Sequence, residues 1–379
     1  MIRHAVVAAA LLLGACATHH ARRTDVLFWN QAEREAAFRQ MQTHYASNVV
    51  RHGTAHPLPA GRPLRPRFDD GRSLDDYMRA HHVAGVMVLQ DGRVRLERYG
   101  LGAGPTTRWT SFSVAKSFTA TLVGAALRDG SLHGLDDKVT RYLPELAAGA
   151  YRDVTVRQLL TMTSGVRWNE DYTDPGSDVA RMYEGPRQPG VPLLVTYMAA
   201  LPREFAPGER WVYKTGETDL AGILVTRATG RRLADYLSEK IWKPYGMAAD
   251  ALWLKDPVDG TEAGGSGVSA TLADYARMGQ FLLDGGIAAG HPVLADGWLA
   301  DATRRHADIG VPGRGYGYQW WTYDDGSYAG IGIFGQLLHV DPSRHLVIVQ
   351  LAAWPVATDD AQAADRAAFV RAVLRGAQE

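Results

Sequence analysis

Hydrophobic residues follow two different spacings along the chain, and their order predicts its architecture. In "VAGVMVLQDGRVRLERYG" two strand-like runs flank Asp91-Gly92, a dipeptide typical of a β-hairpin. Strand-like runs return near the end, in "GYGYQWWTY", "GIGIFGQLLHV" and "HLVIVQLAA". Between them, from about residue 132 to 257, helical spacing dominates. The pattern predicts an α/β fold: an antiparallel sheet built from both chain ends, flanked by helices, with an inserted, mainly helical lobe.

Two further helices are expected outside this core. One covers Phe28–Tyr45, ahead of the Pro-rich stretch "HPLPAGRPLRPR", and the other covers Asp360–Leu374 at the end of the chain. We therefore divide the chain into a leader (residues 1–15), an extension (residues 16–72) and a main domain (residues 73–379).

The leader has the features of an export signal. In "MIRHAVVAAALLLGACATHH" a positive Arg3 precedes an apolar run, and small residues precede Cys16. Leu13-Gly14-Ala15-Cys16 resembles the lipobox of bacterial lipoproteins, in which the chain is cut before the cysteine and the thiol is acylated. The expected location is the periplasmic side of a bacterial envelope, with the lipid anchor as the sole membrane contact. The alternative is a plain secretory signal with an incidental cysteine.

Composition narrows the range of partners. Of the 379 residues, 46% are hydrophobic and 22% are charged, and Lys+Arg and Asp+Glu both number 41. This charge balance argues against nucleic-acid binding and favours a small-molecule partner. Cys16 is the only cysteine, so no disulfide framework is expected, and the sequence indicates no oligomeric state.

The candidate chemistry begins in "RWTSFSVAKSFTATLVGAALRDG". Ser113 and Lys116 lie three residues apart in the first turn of an apolar helix, so both side chains lie on one face. A serine hydroxyl becomes a nucleophile when a neighbouring base takes its proton, and burial at a helix N-terminus lowers a lysine pKa enough for that role. Alone, the pattern also fits a helix cap beside a surface lysine.

A second candidate lies about 100 residues later, in "GERWVYKTGETDLAGILVTRATG". Tyr213 precedes a helix that starts near Glu217 and ends at Gly230. A tyrosine beside a lysine can relay a proton to a leaving group, because a phenol near a cation ionises more easily. The alternative is an aromatic residue that only packs.

Taken together, these motifs are familiar. From about Leu74 onward the chain resembles the serine β-lactamase and penicillin-binding-protein superfamily, and in particular its class C-like esterases and the 6-aminohexanoate-dimer (nylon-oligomer) hydrolase group. The supporting stretches are "SFSVAKSFTATLVG", "VTVRQLLTMTSGVRWNEDYTDPGSD", "YKTGETDLAGILV", "GGSGVSATLADYARMGQFLLDGG" and "GIFGQLLHVDPSRHLVIV". The resemblance implies a β-lactamase/transpeptidase-like fold and a hydrolase of small esters or linear amides.

Carried over residue by residue, the resemblance makes Ser113 the acylated nucleophile, Lys116 its base and Tyr213 the proton relay. Thr215 would be a polar contact, at a position where much of the superfamily has asparagine or serine. Tyr172 would contact the substrate amide, although a surface loop aromatic is the competing interpretation.

The sequence departs from the superfamily in its third motif. Our alignment places Ser327-Tyr328-Ala329 where β-lactamases and DD-peptidases have Lys-Thr-Gly, so the cation is absent. We expect the oxyanion donors to be the backbone N–H groups of Ser113 and Gly330, with Ile331 as the alternative to Gly330.

Rival chemistries have little support. The chain lacks a G-x-S-x-G elbow and an H-E-x-x-H motif, and most of its 13 histidines are expected at the surface. We expect neither a metal nor a cofactor. The open alternatives are a β-lactamase or DD-peptidase-like enzyme, and a catalytically silent envelope-binding lipoprotein.

Overall fold

A computed structural model describes residues 25–378, so Cys16 and the leader lie outside the described residues. The strands form an eight-stranded, a four-stranded and a two-stranded antiparallel sheet. In chain order they are β1 (Ser47–Val50), β2 (Val83–Gln90), β3 (Arg93–Tyr99), β4 (Arg108–Thr110), β5 (Ala251–Leu254), β6 (Val268–Thr271), β7 (Ile287–Ala288), β8 (His291–Pro292), β9 (Ala307–Asp308), β10 (Arg314–Tyr316), β11 (Trp321–Tyr323), β12 (Tyr328–Gly332), β13 (Gln336–Asp341) and β14 (Leu346–Ala352).

The α-helices range from one turn to five turns. They are α1 (Gln31–Ala37), α2 (Leu74–Ala80), α3 (Val114–Arg128), α4 (Val156–Leu160), α5 (Asp178–Arg181), α6 (Leu193–Ala199), α7 (Thr215–Thr229), α8 (Leu233–Leu237), α9 (Leu272–Leu283), α10 (Trp298–Ala302) and α11 (Asp360–Ala377). A π-turn, Ser238–Trp242, follows α8. Short 3₁₀ turns cover Asp25–Leu27, Met41–Thr43, Val139–Arg141, Pro144–Leu146, Ile333–Gly335 and Pro342–Arg344.

The main sheet confirms the predicted union of the two chain ends. Its strand order is β3-β2-β14-β13-β12-β11-β10-β9, and each neighbouring pair is antiparallel. The hairpin turn falls at Asp91 (φ 50°) and Gly92 (φ 70°), as in the tight turns that match strand twist. Strand β2, from the start of the domain, therefore pairs directly with β14, the last strand, and β3 lies at the sheet edge beside β2.

Each face of the main sheet carries helices. A Cβ placed on Gly279 of α9 would meet Leu338 of β13 at 3.0 Å, so α9 packs tightly on that face. The next residue, His339, points the other way and lines a cavity beside α11. Helices α3 and α9 thus cover one face, and α2 and α11 lie on the other.

The four-stranded sheet was not predicted. Its order is β1-β5-β6-β4, and β5 falls within the stretch expected to be helical throughout. All four β5 residues are buried, so the strand shows no polar alternation that would separate it from helical segments. Strand β4 leads directly into the turn that carries Ser113.

Apart from β5, the regular elements of residues 132–257 are helices and helical turns, as predicted, and loops join them. Its longest helix, α7, packs against α3. Both helices begin beside each other, with Ser113 just before α3 and Lys214 just before α7. The predicted motifs therefore meet where the helical lobe joins the sheet.

The extension is folded from Asp25 onward and packs on the main domain. The helix expected over Phe28–Tyr45 is instead α1 followed by a 3₁₀ turn, because a capping box of Asn30 and Glu33 starts α1 late. Phe38, just after α1, is fully buried, and its carbonyl accepts the Thr110 N–H at 3.0 Å.

Residues 25–378 contain neither a membrane-spanning helix nor a cluster of metal-binding side chains. No described helix has the length and apolar character needed to cross a membrane. Over the same residues, no group of three or more His, Cys, Asp or Glu side chains is arranged to hold a metal ion.

Candidate active site

The structure brings Ser113 and Lys116 into direct contact. Ser113 occupies the cap position before α3, and Lys116, one turn into the helix, is 1% exposed. The Lys116 Nζ lies 3.0 Å from Ser113 Oγ. This is the shared helix face that the three-residue spacing predicted.

Lys116 is held in place from two other sides. Its Nζ lies 3.0 Å from Thr215 Oγ1 and 2.8 Å from the Gly265 carbonyl oxygen. Burial lowers the Lys116 pKa to about 8, although the negative charges of Glu170 and Asp219 act to raise it. A substantial neutral fraction therefore exists near pH 8, and a neutral amine can accept the Ser113 proton.

The backbone around Ser113 is strained. Phe112 has φ 42°, a left-handed conformation that a bulky side chain rarely adopts, and its ring is buried. Among residues 25–378, the Ser113 N–H has no backbone acceptor. That free N–H beside Oγ suits a developing oxyanion.

Tyr213 also reaches this group. Its ring centroid lies 5.2 Å from Lys116 Nζ, and the ring stacks on Trp321 at 5.7 Å. Burial raises the Tyr213 pKa, and the negative charge of Glu170 raises it further. A hydrogen bond with Ser113 lowers this pKa, but by less. The expectation of an easily ionised phenol was therefore wrong, because burial and the negative charge of Glu170 outweigh the hydrogen bond with Ser113. Tyr213 is a neutral hydroxyl that can accept and donate a proton in one step.

Thr215 bridges Lys116 to a carboxylate that sequence reasoning missed. The Thr215 N–H donates to Glu170 Oε2 at 2.9 Å, and its hydroxyl donates to Glu170 Oε1. Glu170 also accepts from the Trp168 indole and from the Tyr172 hydroxyl, the latter at 2.8 Å. The sequence feature that could have identified Glu170 is its position two residues before Tyr172 in "NEDYTD".

Tyr172 lies in the pocket rather than on the surface. It lines the same cavity as Ser113 and Thr215, and burial raises its pKa well above the ordinary value. This position favours a role in substrate contact over the interpretation as a surface loop aromatic. Its hydroxyl is committed to Glu170, so a substrate would meet the ring or displace that bond.

Gly330 does not line the pocket that contains Ser113. A Cβ placed on it would meet Ser117 Oγ at 3.0 Å, one turn farther along α3, and Ile331 lines a cavity on the opposite side of the sheet. Ile333 lines the pocket with Ser113. The proposed second oxyanion donor therefore moves to the Ile333 N–H, because the strand register differs by three residues from our alignment.

The same shift removes Ser327-Tyr328-Ala329 from the position of Lys-Thr-Gly. Ser327 is buried, donates to Asp325 Oδ1 at 2.6 Å and lines the cavity on the opposite side. Gly330, Ile331 and Gly332 precede Ile333 instead. None of these residues supplies a cation.

The segment "GGSGV" contributes to the site, although the sequence analysis used it only to exclude another fold. A Cβ on Gly265 would lie 3.0 Å from the Thr215 carbonyl oxygen and 3.3 Å from Lys116 Nζ. Glycine is needed there so that the Gly265 carbonyl can approach the amine. The paired glycines are the sequence feature that could have indicated this close backbone approach.

The pocket beside Ser113 is small and largely apolar. Its cavity volume is about 60 Å³. Val26, Leu27 and Met41 come from the extension, and Val179, Met182 and Leu254 form other walls. Within residues 25–378 no charged side chain lines it. This lining suits a short, uncharged acyl group.

The fold and the site define an enzyme of the serine β-lactamase and penicillin-binding-protein architecture. A family model described as Beta-lactamase matches residues 72–372, and the chain belongs to this family. The 6-aminohexanoate-dimer hydrolase of Paenarthrobacter ureafaciens is 36% identical over 317 residues, covering 79% of each chain. Esterase EstB of Burkholderia gladioli is 28% identical over 372 residues, covering 79% of this chain and 92% of its own.

Solved structures agree on the fold. A Bacillus anthracis protein assigned as a 6-aminohexanoate-dimer hydrolase matches with TM-score 0.79 and 23% identity, covering 91% of this chain and 93% of that chain. A family VIII carboxylesterase matches with TM-score 0.62 and 18% identity, covering 87% of this chain and 100% of that chain. The protein is a hydrolase of this fold.

Proposed function

We propose that this hydrolase cleaves small, uncharged esters, and secondarily linear amides, through an acyl-enzyme on Ser113. The observation that carries the proposal is the 3.0 Å contact between Lys116 Nζ and Ser113 Oγ, at an amine whose pKa burial lowers to about 8. Neutral Lys116 takes the hydroxyl proton as Oγ attacks the carbonyl carbon. The N–H groups of Ser113 and Ile333 stabilise the oxyanion.

The proton then reaches the leaving group through Tyr213. Its hydrogen bond with Ser113 and its place over Lys116 let it receive a proton from one side and donate it on the other. Water attacks the acyl carbon in the second half-reaction, and the same groups run in reverse to release the acid.

The substrate class follows from the lining of the pocket. The name of the Paenarthrobacter relative specifies a 6-aminohexanoate dimer, which carries an ammonium and a carboxylate at its two ends. Such ends need charged partners, and Glu170 is already saturated by hydrogen bonds from Trp168, Thr215 and Tyr172. Uncharged acyl groups are therefore favoured over that zwitterion.

The chemistry is tested on p-nitrophenyl butyrate and with a fluorophosphonate label. We expect Ser113→Ala and Lys116→Ala to lose about 10³-fold or more in kcat, and Tyr213→Phe to lose about 10²-fold. Ser117→Ala is the matched control, since Ser117 lies on the same helix and donates only to the Gln319 carbonyl. Labelling should persist in wild type and in this control. Equal labelling of Ser113→Ala would place the nucleophile at another residue, and no labelling of wild type would support the silent-lipoprotein alternative.

The β-lactamase alternative makes an opposite kinetic prediction. Nitrocefin carries a carboxylate, and no cation lines the pocket within the described residues. Loss of a charge-assisted contact of about 1.5–3 kcal/mol should lower kcat/KM for nitrocefin about 10- to 100-fold relative to the neutral ester. Steady-state kinetics with both substrates decide this. A larger value for nitrocefin would show that the enzyme is primarily a β-lactamase.

A further inference from the structure

A second cavity lies on the far side of strand β12 from Ser113. Gly330 faces α3, whereas Ile331, the next residue, lines this cavity. Its volume is about 270 Å³, and it is bounded by strands β10 to β13 on one side and by α11 on the other. We call it the rear cavity; it shares no lining residue with the pocket at Ser113.

Three arginines line the rear cavity: Arg314, Arg366 and Arg371. Within residues 25–378 none of them forms an ion pair. The Arg314 Nε is buried without a hydrogen-bond partner. Burial lowers the Arg366 pKa, and the positive charge of Arg314 lowers it further. A lining on which positive charges outnumber negative charges favours an incoming anion.

Nearby acids do not neutralise this cluster. Asp324 pairs with Arg305 at 2.7 Å, Asp341 with Arg344 at 2.7 Å, and Asp365 with Arg72 at 3.1 Å. The one carboxylate on the lining, Asp325, accepts the Ser327 N–H at 3.0 Å and the Ser327 hydroxyl at 2.6 Å. The lining keeps an excess of two positive charges with His339 neutral.

His339 provides an independent observation. It lines the rear cavity on β13, it is 5% exposed, and its Nε2 is buried without a hydrogen-bond partner. A buried polar atom without a partner costs about 1–3 kcal/mol, so such atoms usually meet a ligand or water. The ring nitrogen and the arginines belong to the same enclosure.

The remaining wall is aliphatic. Ile331 and Leu337 come from the sheet, and Val370 and Leu374 come from α11. This wall excludes a ligand that is charged throughout, because burying such a ligand against aliphatic groups leaves part of its charge unpaired. It suits a hydrocarbon chain attached to an anionic head.

We propose that the rear cavity binds an amphiphilic anion: a carboxylate or phosphate-ester head held by Arg314, Arg366 and Arg371, with a short aliphatic chain against Ile331 and Val370. At about 30 Å³ per methylene-sized group, taking the volume share of a water molecule as the guide, about 270 Å³ holds about nine heavy atoms. Octanoate has this size.

Isothermal titration calorimetry on the whole protein tests the anionic head and the aliphatic tail of the ligand separately. The probes are octanoate, octyl phosphate, octanol and inorganic phosphate. We expect one or both octyl anions to bind, and whichever binds more tightly identifies the head. Octanol and inorganic phosphate should bind at least about tenfold more weakly. Equal affinity for octanol and the anions, or no binding by either anion, would overturn the proposal.

Variants locate the binding site. Arg366→Gln and Arg371→Gln should each weaken binding of the preferred anion about tenfold, and Arg371 is exposed, so its loss leaves the fold intact. Arg128→Gln removes a surface charge elsewhere and should bind as wild type does. Unchanged affinity in both cavity variants would overturn the proposal.

The pocket at Ser113 could itself bind an octyl anion, so a separate experiment blocks this pocket. Binding is repeated after Ser113 has reacted with a fluorophosphonate. Retained affinity supports the rear cavity, and complete loss assigns the ligand to the catalytic pocket and overturns the proposal. The titrations themselves do not depend on the proposed ester hydrolysis, because octanoate binding is measured without turnover; only this blocking step requires a reactive Ser113.

Discussion

At the scale of single residues, the site is governed by the desolvation of Lys116. Burial removes water from its amine and lowers the pKa to about 8, while Glu170 and Asp219 oppose that shift. The proposed base is active when neutral. Activity should therefore be low below this pKa and should rise as the pH increases through about 8.

Glu170 should tune this pH dependence. Glu170→Gln removes a negative charge that raises the Lys116 pKa, so the pKa should fall further and the acid limb of kcat/KM should move to lower pH by about one unit. The hydroxyls of Tyr172 and Thr215 can accept from the new amide, so the packing is preserved. The measurement is the pH profile of p-nitrophenyl butyrate hydrolysis.

Glu239→Gln is the control, because Glu239 pairs with Arg231 on the surface. Its profile should match that of wild type. An acid limb that stays in place or moves upward in Glu170→Gln would refute the electrostatic role of Glu170.

At the scale of elements, the extension holds the two proposed oxyanion donors. The ring centroid of Phe38 lies 5.0 Å from that of Phe112 and 5.4 Å from that of Phe334. The centroids of Phe112 and Phe334 lie 5.2 Å apart. Phe112 precedes Ser113 and Phe334 follows Ile333, and both have left-handed φ, at 42° and 59°. Such conformations cost about 1–3 kcal/mol each and persist when packing enforces them.

Phe38→Leu should therefore impair catalysis beyond its effect on stability. We expect kcat to fall about tenfold with little change in KM, because a displaced donor weakens transition-state binding first. Kinetics on p-nitrophenyl butyrate and thermal unfolding check this. Phe369→Leu, in the buried stack with Tyr77, should destabilise the protein similarly and leave kcat near the wild-type value. An equal loss of kcat in both variants would reduce Phe38 to a packing role.

At the scale of the whole molecule, we expect the proposed anchor and the catalytic domain to act independently. Cys16 precedes the folded extension, whose first described residue, Asp25, lies nine positions later. Cys16→Ser should abolish fatty-acid labelling and release the protein from membranes, because acyl chains supply most of the affinity of such anchors. Ester hydrolysis should remain at the wild-type level. Equal labelling of both proteins would contradict the lipoprotein hypothesis.

Local patterns in the sequence determined the parts of this protein that depend on short distances along the chain. Asp91-Gly92 predicted the hairpin through its turn conformation, and the spacing of Ser113 and Lys116 predicted their contact, because one helical turn fixes both. Motif resemblance added Tyr213, Thr215 and Tyr172. The hairpin and the contact between Ser113 and Lys116 are confirmed because each rests on local backbone geometry, whereas the roles of Tyr213, Thr215 and Tyr172 stay predictions.

Tertiary structure decided the rest. Strand β5 pairs with a segment about 200 residues away, Ile333 replaces Gly330 beside Ser113 through a three-residue difference in register, and Glu170 reaches Lys116 through Thr215. The ionisation of Tyr213 was misjudged because burial, which a linear pattern does not record, outweighs the nearby cation. Register and solvent exclusion are properties of the packed molecule, since both depend on segments that are distant in the sequence.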